Sequence, residues 1–195
     1  IFCENAYANE EGIIPLTTAT GIKVMSMNFL TEYEEQAVIW RGPLIAGAVK
    51  QFWTDVVWGD LDYLFVDMPP GTGDVPLTVM QVMPVTGVVM VSTPQNMVSM
   101  IVAKAVNMTE KMNKKVIGVI ENMSYIECKN CGEKTYIFGE SSAEKAAEKV
   151  GADLLGELPL DREMAELSEE GKIELYVKIN DRFKKITDNV LEKIK

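Results

Sequence analysis

The sequence predicts an α/β fold built on a mostly parallel sheet, and three observations carry that expectation. Apolar runs of strand length recur at Tyr63–Val66, Val88–Val91 and Val116–Ile120. They lack the polar alternation of a sheet with one wet face. Stretches of helical period separate them, at Pro76–Met83 and Val98–Met112. Each run also stops at polar residues: Asp67, then Ser92 to Gln95, then Glu121 and Asn122. Strand and helix in this rhythm make βαβ units, whose strands are parallel. All three polar ends are expected along one edge of the sheet, where ligands of such folds collect.

Taken in order, Ile1 to Gly12 reads as polar and irregular, with Cys3 a lone thiol that is either buried or a bystander. Gly21 to Phe29 has the period-2 pattern of a strand. A charged loop follows at Thr31–Gln36, then Trp40, read as packing, and Arg41, which either meets a phosphate or carboxylate or is simply solvated. Pro43 sits where a first-turn proline belongs, and Leu44–Trp53 continues as an amphipathic helix.

The central stretch is Tyr63-Leu-Phe-Val-Asp-Met-Pro-Pro-Gly-Thr-Gly-Asp74. One carboxylate, Asp67, ends the apolar run. A rigid Pro69-Pro70 pair and two permissive glycines, Gly71 and Gly73, come next. Magnesium keeps several waters and needs few carboxylates, so a single strand-end Asp suits a metal–phosphate group. The stretch reads as a Walker-B strand feeding a nucleotide-sensing loop. The plainer alternative is an ordinary loop with Asp74 capping the next helix.

Beyond it, Val98–Met112 places Met100, Ala103 and Val106 on one expected core face. Asn122 offers a donor and an acceptor suited to a purine edge, or else is a turn residue tolerating left-handed backbone. Cys128-x-x-Cys131-Gly132 reads as a metal-binding knuckle, with a structural thiol pair or a redox dithiol as alternatives. A redox dithiol usually opens a helix, which this loop does not. Two thiolates fill half of a tetrahedral site or half of an iron–sulfur cluster. A two-fold dimer completes either one economically, and spacing does not separate zinc from iron–sulfur. Ser141 opens a capping pattern, and Ala143–Val150 is a helix closed by Gly151. Leu154–Leu158 is a fourth strand, Pro159-Leu-Asp161 ends it, and Asp161 caps a helix through Leu167 that Gly171 breaks. Asn180–Ile194 is a final amphipathic helix with a lysine-rich end.

Composition narrows the chemistry. The 195 residues suit one domain, with a metal-binding insertion at about 124–139. A net charge of −10 speaks against nucleic acid and anionic membranes as partners. The chain has no histidine, which excludes a His base, a Ser-His triad and His-ligated metal. Three cysteines do not make a disulfide framework, and a reducing cytoplasmic setting is expected.

The segments Val38–Pro43, Asp67–Asp74, Thr93–Gln95, Glu121–Ser124, Cys128-x-x-Cys131 and Leu158–Asp161 together resemble the Mrp family in their order. These are P-loop ATPases that carry iron–sulfur clusters, related to MinD and the nitrogenase iron protein. The resemblance runs from about Gly12 to the C-terminus. It implies a three-layer P-loop NTPase-like fold and a homodimer that binds ATP with Mg²⁺ and hydrolyses it slowly. It implies a [4Fe–4S] cluster bridging two subunits and passed to apo iron–sulfur client proteins, with zinc a possible occupant on isolation. Asp67 would be the Walker-B carboxylate, and Pro69 to Asp74, with Pro70, Gly71 and Gly73, the second switch. Asn122 would contact adenine, with Pro159 to Asp161 closing over the base. Cys128 and Cys131 would be the cluster ligands. The family's lysine-bearing phosphate loop, with its strand and helix, is not among these residues, so an N-terminally truncated domain with an uncovered apolar edge is expected. The resemblance leaves two other readings open: a MinD-like scaffold ATPase with a structural zinc knuckle, and an iron protein donating electrons.

Overall fold

A computed structural model of the chain describes residues 6–30, 42–139, 143–179 and 181–195. The chain gathers into two compact units, Ile1–Pro69 with Gly73–Met83, and Pro70–Thr72 with Pro84–Lys195.

In the first unit, β1 (Tyr7–Asn9) and β2 (Gly12–Ile14) form an antiparallel hairpin where an irregular segment was expected. The polar residues are its turn: Asn9 Oδ1 accepts from the backbone N–H groups of Glu11 and Gly12, at 2.9 and 3.1 Å. A second small ladder joins β3 (Leu16–Thr17) to β4 (Lys23–Val24). The strand expected across Gly21–Phe29 is thus only two residues long. Ser26 competes with it, its hydroxyl accepting from Asn28 N–H and its carbonyl from Phe29 N–H, and a 3₁₀ turn at Met27–Leu30 results.

Helix α1 (Gly42–Thr54) packs on α2 (Asp74–Val82). Gly73 occupies the N-cap position of α2, and Asp74 is a first-turn acid favoured by the helix dipole rather than its cap. The run Tyr63–Val66 departs from expectation. It forms no strand, and Phe65 is 82% exposed. Apolar composition alone does not make a parallel strand. The backbone also needs a neighbour for its N–H and C=O groups, and no described strand provides one.

The second unit runs β5 (Val88–Ser92), α3 (Asn96–Lys111), β6 (Val116–Glu121), β7 (Ile126–Glu127), β8 (Lys134–Thr135), α4 (Ala143–Lys149), β9 (Leu154–Glu157), α5 (Arg162–Glu169), α6 (Ile173–Ile179) and α7 (Asp181–Ile194). Strands β5, β6 and β9 form a parallel sheet in that order, with helices crossing between them as the βαβ rhythm requires. Helices α3, α4 and α7 pack on it.

Val119 and Leu155 are each 1% exposed at the heart of the sheet. On β5, Val88, Met90 and Ser92 are buried while Val91 is open, so this all-apolar run has one covered face. On α3 the buried face is Val102, Val106 and Thr109, spaced as one helical stripe. Met100, expected in the core, is 60% exposed. Helix α7 is tied to the sheet by Asn189 Nδ2, which donates to the Leu155 carbonyl at 2.7 Å, and by the Lys193–Asp153 ion pair.

Two glycines let these layers close. A Cβ on Gly156 would lie 2.5 Å from Ile186 Cγ1 of α7. One on Gly118 would lie 2.6 Å from both the Asp153 carbonyl oxygen and Leu155 Cγ. Gly118→Ala is expected to cost about 1–3 kcal/mol through this overpacking. Urea denaturation would read it as a lower midpoint at unchanged slope, and an unmoved midpoint would show that β6 and β9 shift apart freely.

Candidate functional site

Past the carboxyl ends of the three strands, backbone hydrogen bonds continue. Asn122 N–H donates to Ser92 O at 2.7 Å, so the ends of β5 and β6 stay together. Leu158 N–H donates to Glu121 O at 2.8 Å, Ser124 N–H to Leu158 O at 2.9 Å, and Leu160 N–H to Tyr125 O at 2.8 Å. These bonds place Asn122 and the Pro159–Asp161 turn on neighbouring chain ends, as the sequence suggested for Ser92 and Asn122. Asp67, expected on the same edge, belongs to the other unit.

Asn122 is half-buried, and its Oδ1 accepts from Met123 N–H at 2.9 Å. The left-handed backbone considered for Asn122 falls instead on Met123, with φ of 57°. An unbranched non-glycine residue held there is uncommon, and such strain gathers at functional turns. Pro159 is buried. Asp161 caps α5, its Oδ1 accepting from Glu163 N–H at 2.9 Å, while Oδ2 accepts from Tyr176 Oη–H at 2.8 Å. Burial pushes the Asp161 carboxyl up, but the Tyr176 hydroxyl and the N–H groups of Glu163 and Met164 outweigh it and hold the pKa below the usual range. The mirror effect, burial together with the Asp161 charge, raises Tyr176 to about 12.

Sequence reading passed over the chemistry of Glu121 and its partners, although two glutamates at successive strand ends are visible in it. Glu121 and Glu157 are opposite one another in the parallel register. Both carboxyl groups meet one hydroxyl: Ser124 Oγ lies 2.6 Å from Glu121 Oε1 and 3.1 Å from Glu157 Oε1. That hydroxyl has one hydrogen to donate, so both contacts are satisfied when one carboxyl brings a proton of its own. Glu121 is 1% exposed, and burial, reinforced by the Glu157 charge against the opposing Ser124 bond, raises its pKa. The folded state therefore holds this proton more tightly than the unfolded chain. Its contribution to stability is complete below the ordinary Glu pKa and is lost as pH rises through the raised value. Glu121→Gln keeps the shape without titrating. The stability of wild type relative to this variant is expected to fall as pH rises above the ordinary glutamate range, read as urea midpoints. A rise would show that Glu121 folds as the ion.

The cysteine segment is a hairpin, β7 pairing with β8 through Ile126↔Thr135 and Glu127↔Lys134. Its tip is tight: Cys128 N–H donates to Glu133 O at 2.9 Å and Gly132 N–H to Cys128 O at 2.8 Å, with Gly132 at φ of 73°. Both Cys128 and Cys131 are free and exposed. The backbone of Cys131, then that of Asn130 and the Cys131 side chain, hydrogen-bond the Cys128 sulfur and lower its pKa. Stabilised thiolates of this kind are what soft metals bind. Among the described residues no third Cys, Asp or Glu joins them, and two thiols amount to half of a four-coordinate site. The hairpin is anchored by buried Tyr125, whose ring lies 5.8 Å from that of Tyr136 and 4.0 Å beneath Lys134 Nζ. Arg182 of α7 forms an ion pair with Glu127, one residue before Cys128.

Of the expected switch loop, Asp67 is exposed and has no hydrogen-bond or ion-pair partner among the described residues. Pro70, Gly71 and Thr72, with Ile101 and Lys104 of α3, line an open cavity of about 250 Å³. Gly71 has φ of 89°, a conformation that favours glycine. Gly73 lies in the first unit as the cap of α2. Cys3, Trp40, Arg41 and Ser141 fall outside the described residues. No described helix is long and apolar enough to cross a membrane.

Comparison with known proteins agrees with the resemblance read from the motifs. The family described as "ParA: NUBPL iron-transfer P-loop NTPase" matches residues 3–195. An iron-sulfur cluster carrier protein of Clostridium perfringens is 51% identical over 177 residues, covering 91% of this chain and 62% of that protein. One of Methanocaldococcus jannaschii is 44% identical over 190 residues, covering 96% and 66%. A nucleotide-binding protein of Archaeoglobus fulgidus, solved in complex with ADP, superposes with a TM-score of 0.74 at 44% identity, covering 88% of this chain and 66% of that one. The chain therefore spans less than two thirds of the length of these relatives. With the parallel α/β sheet in place and the match running over nearly every residue, the chain belongs to the NUBPL iron-transfer P-loop NTPase family.

Proposed function

We propose that this protein is an ATP-dependent carrier that holds a [4Fe–4S] cluster between two copies of itself and passes it to apo iron–sulfur proteins. The observation behind this reading is the exposed Cys128–Cys131 pair at a tight hairpin tip, in a chain whose relatives are named iron-sulfur cluster carriers. Two such tips related by a two-fold axis supply the four thiolates that one cluster needs. Exposure suits cargo rather than a buried resident group, because an acceptor's thiolates must reach the metal. Handing on is then ligand exchange: acceptor thiolates displace those of Cys128 and Cys131. Protons leave the acceptor thiols and return to the donor's, and no electrons change hands.

The nucleotide belongs to the same reading. In it, Asn122 reads the purine edge, and its Nδ2, which has no partner among the described residues, is available to do so. The buried Pro159 and the helix-capping Asp161 shape the turn over the base. Asp67 holds the magnesium of ATP through water, and Pro70, Gly71 and Gly73 let the adjoining loop answer the loss of a phosphate. The bound Mg–ATP supplies the phosphoryl transfer to water. Acidic surface charge and the absence of a histidine base fit a slow, positioning-type hydrolysis in a cytoplasmic protein without nucleic-acid or membrane partners.

Anaerobic reconstitution with iron and sulfide tests the cargo. Cluster absorbance at one cluster per two chains is expected, and Cys128→Ser is expected to abolish it. Absorbance that survives the substitution would overturn the assignment, and zinc uptake without cluster formation would favour a structural knuckle on a MinD-like scaffold. Asp67→Asn is expected to slow ATP hydrolysis by about 10–100-fold, the usual cost of losing an outer-sphere metal partner. Steady-state phosphate release reads this, and an unchanged rate would remove Asp67 from the site.

A further inference from the structure

The two halves of the second unit's chemistry, the base-side turn and the cysteine hairpin, are held by the same pair of helices. Tyr176 of α6 is 3% exposed, and its hydroxyl donates to Asp161 Oδ2 at 2.8 Å. Arg182 of α7 pairs with Glu127, the last residue of β7 before Cys128. The helices are joined at these positions: the Tyr176 and Phe183 rings meet edge-on at 5.8 Å and 86°. A third contact runs directly from turn to hairpin, where Leu160 N–H donates to Tyr125 O. The result is a closed ring, from Asp161 through Tyr176, Phe183, Arg182 and Glu127 to the cysteine strand, and back through Tyr125 to Leu160.

We propose that Tyr176 and Arg182 are positioning residues that clamp the Pro159–Asp161 turn and the Cys128 strand to one helical pair, so that a shift at either is transmitted to the other. The assignment rests on the nucleotide and cluster roles given above and adds the route between them. Its physical content is that neither end moves alone. Displacing Asp161 breaks a hydrogen bond to an almost fully buried phenol, which finds no water there to replace it. Moving β7 separates a half-buried ion pair, with side chains about one third exposed on both partners. Electrostatics closes the ring as well: Lys129, between the two cysteines, contributes to the lowered pKa of Asp161, and Arg182 acts on Tyr176 in the lowering direction. Metal at the thiolates and nucleotide under the turn would each bias the same contacts, which is what reciprocal coupling requires.

The test follows iron release from the cluster-loaded protein to a chelator, with and without ATP, alongside ATP affinity measured separately by titration. In wild type, ATP is expected to change the release rate severalfold. Arg182→Gln and Tyr176→Phe are each expected to bring that ratio close to one while the cluster still loads. The exchanged pair Glu127→Arg with Arg182→Glu is expected to restore it, which a general loss of folding would not do. An ATP effect that persists in both single variants overturns the clamp, as does wild-type protein that loads iron and binds ATP with no effect of one on the other. Wild-type protein that fails to load iron or to bind ATP sinks the functional reading itself, and the clamp falls with it.

Discussion

The second unit depends on one constraint: beyond the sheet, the chain ends of β6 and β9 go on bonding to each other. Leu158 donates to Glu121 and accepts from Ser124, and Leu160 then donates to Tyr125. Buried main-chain groups must find partners, so the chain stays tied as far as Tyr125 past β6 and Leu160 past β9 rather than wandering as loops. Asn122, the Asp161 cap and the root of the cysteine hairpin are all hung from this seam. Side chains aimed from so fixed a frame need little reordering when a ligand arrives, and that saves affinity.

Much of this was readable in the letters. The helices at Pro43 and Gly151 were marked by a start and a stop residue, and the one at Pro76–Met83 by its helical period. The parallel pairing of β5, β6 and β9 followed from apolar runs alternating with helical spacing. The cysteine tip was evident because Gly132 supplies the backbone that a tight turn around two thiols demands. Family membership came from six short motifs in order, none of them decisive alone.

What escaped was set by context rather than by local pattern. Tyr63–Val66 is as apolar as β6, yet it stands open, because strand formation depends on a neighbour and composition says nothing of one. Met100 was assigned inward by helical period, but the buried stripe among the described side chains runs through Val102, Val106 and Thr109. The rotation of a helix about its axis is fixed by what it meets. Ser26 undid a period-2 pattern through a bond to its own neighbours. The shared hydroxyl between Glu121 and Glu157 needed strand register, which brings together residues 36 positions apart along the chain.

The open position of the two sulfurs has a chemical consequence of its own. Peroxide oxidises an accessible thiol to a sulfenic acid, and a second thiol three positions away condenses with it, expelling water and leaving a disulfide. Bridged in that way, Cys128 and Cys131 have no lone thiolates left to offer iron. The exposure that the proposed carrier role calls for thus also opens the pair to air, and a thiol reductant, rather than added metal, is what returns the free thiols.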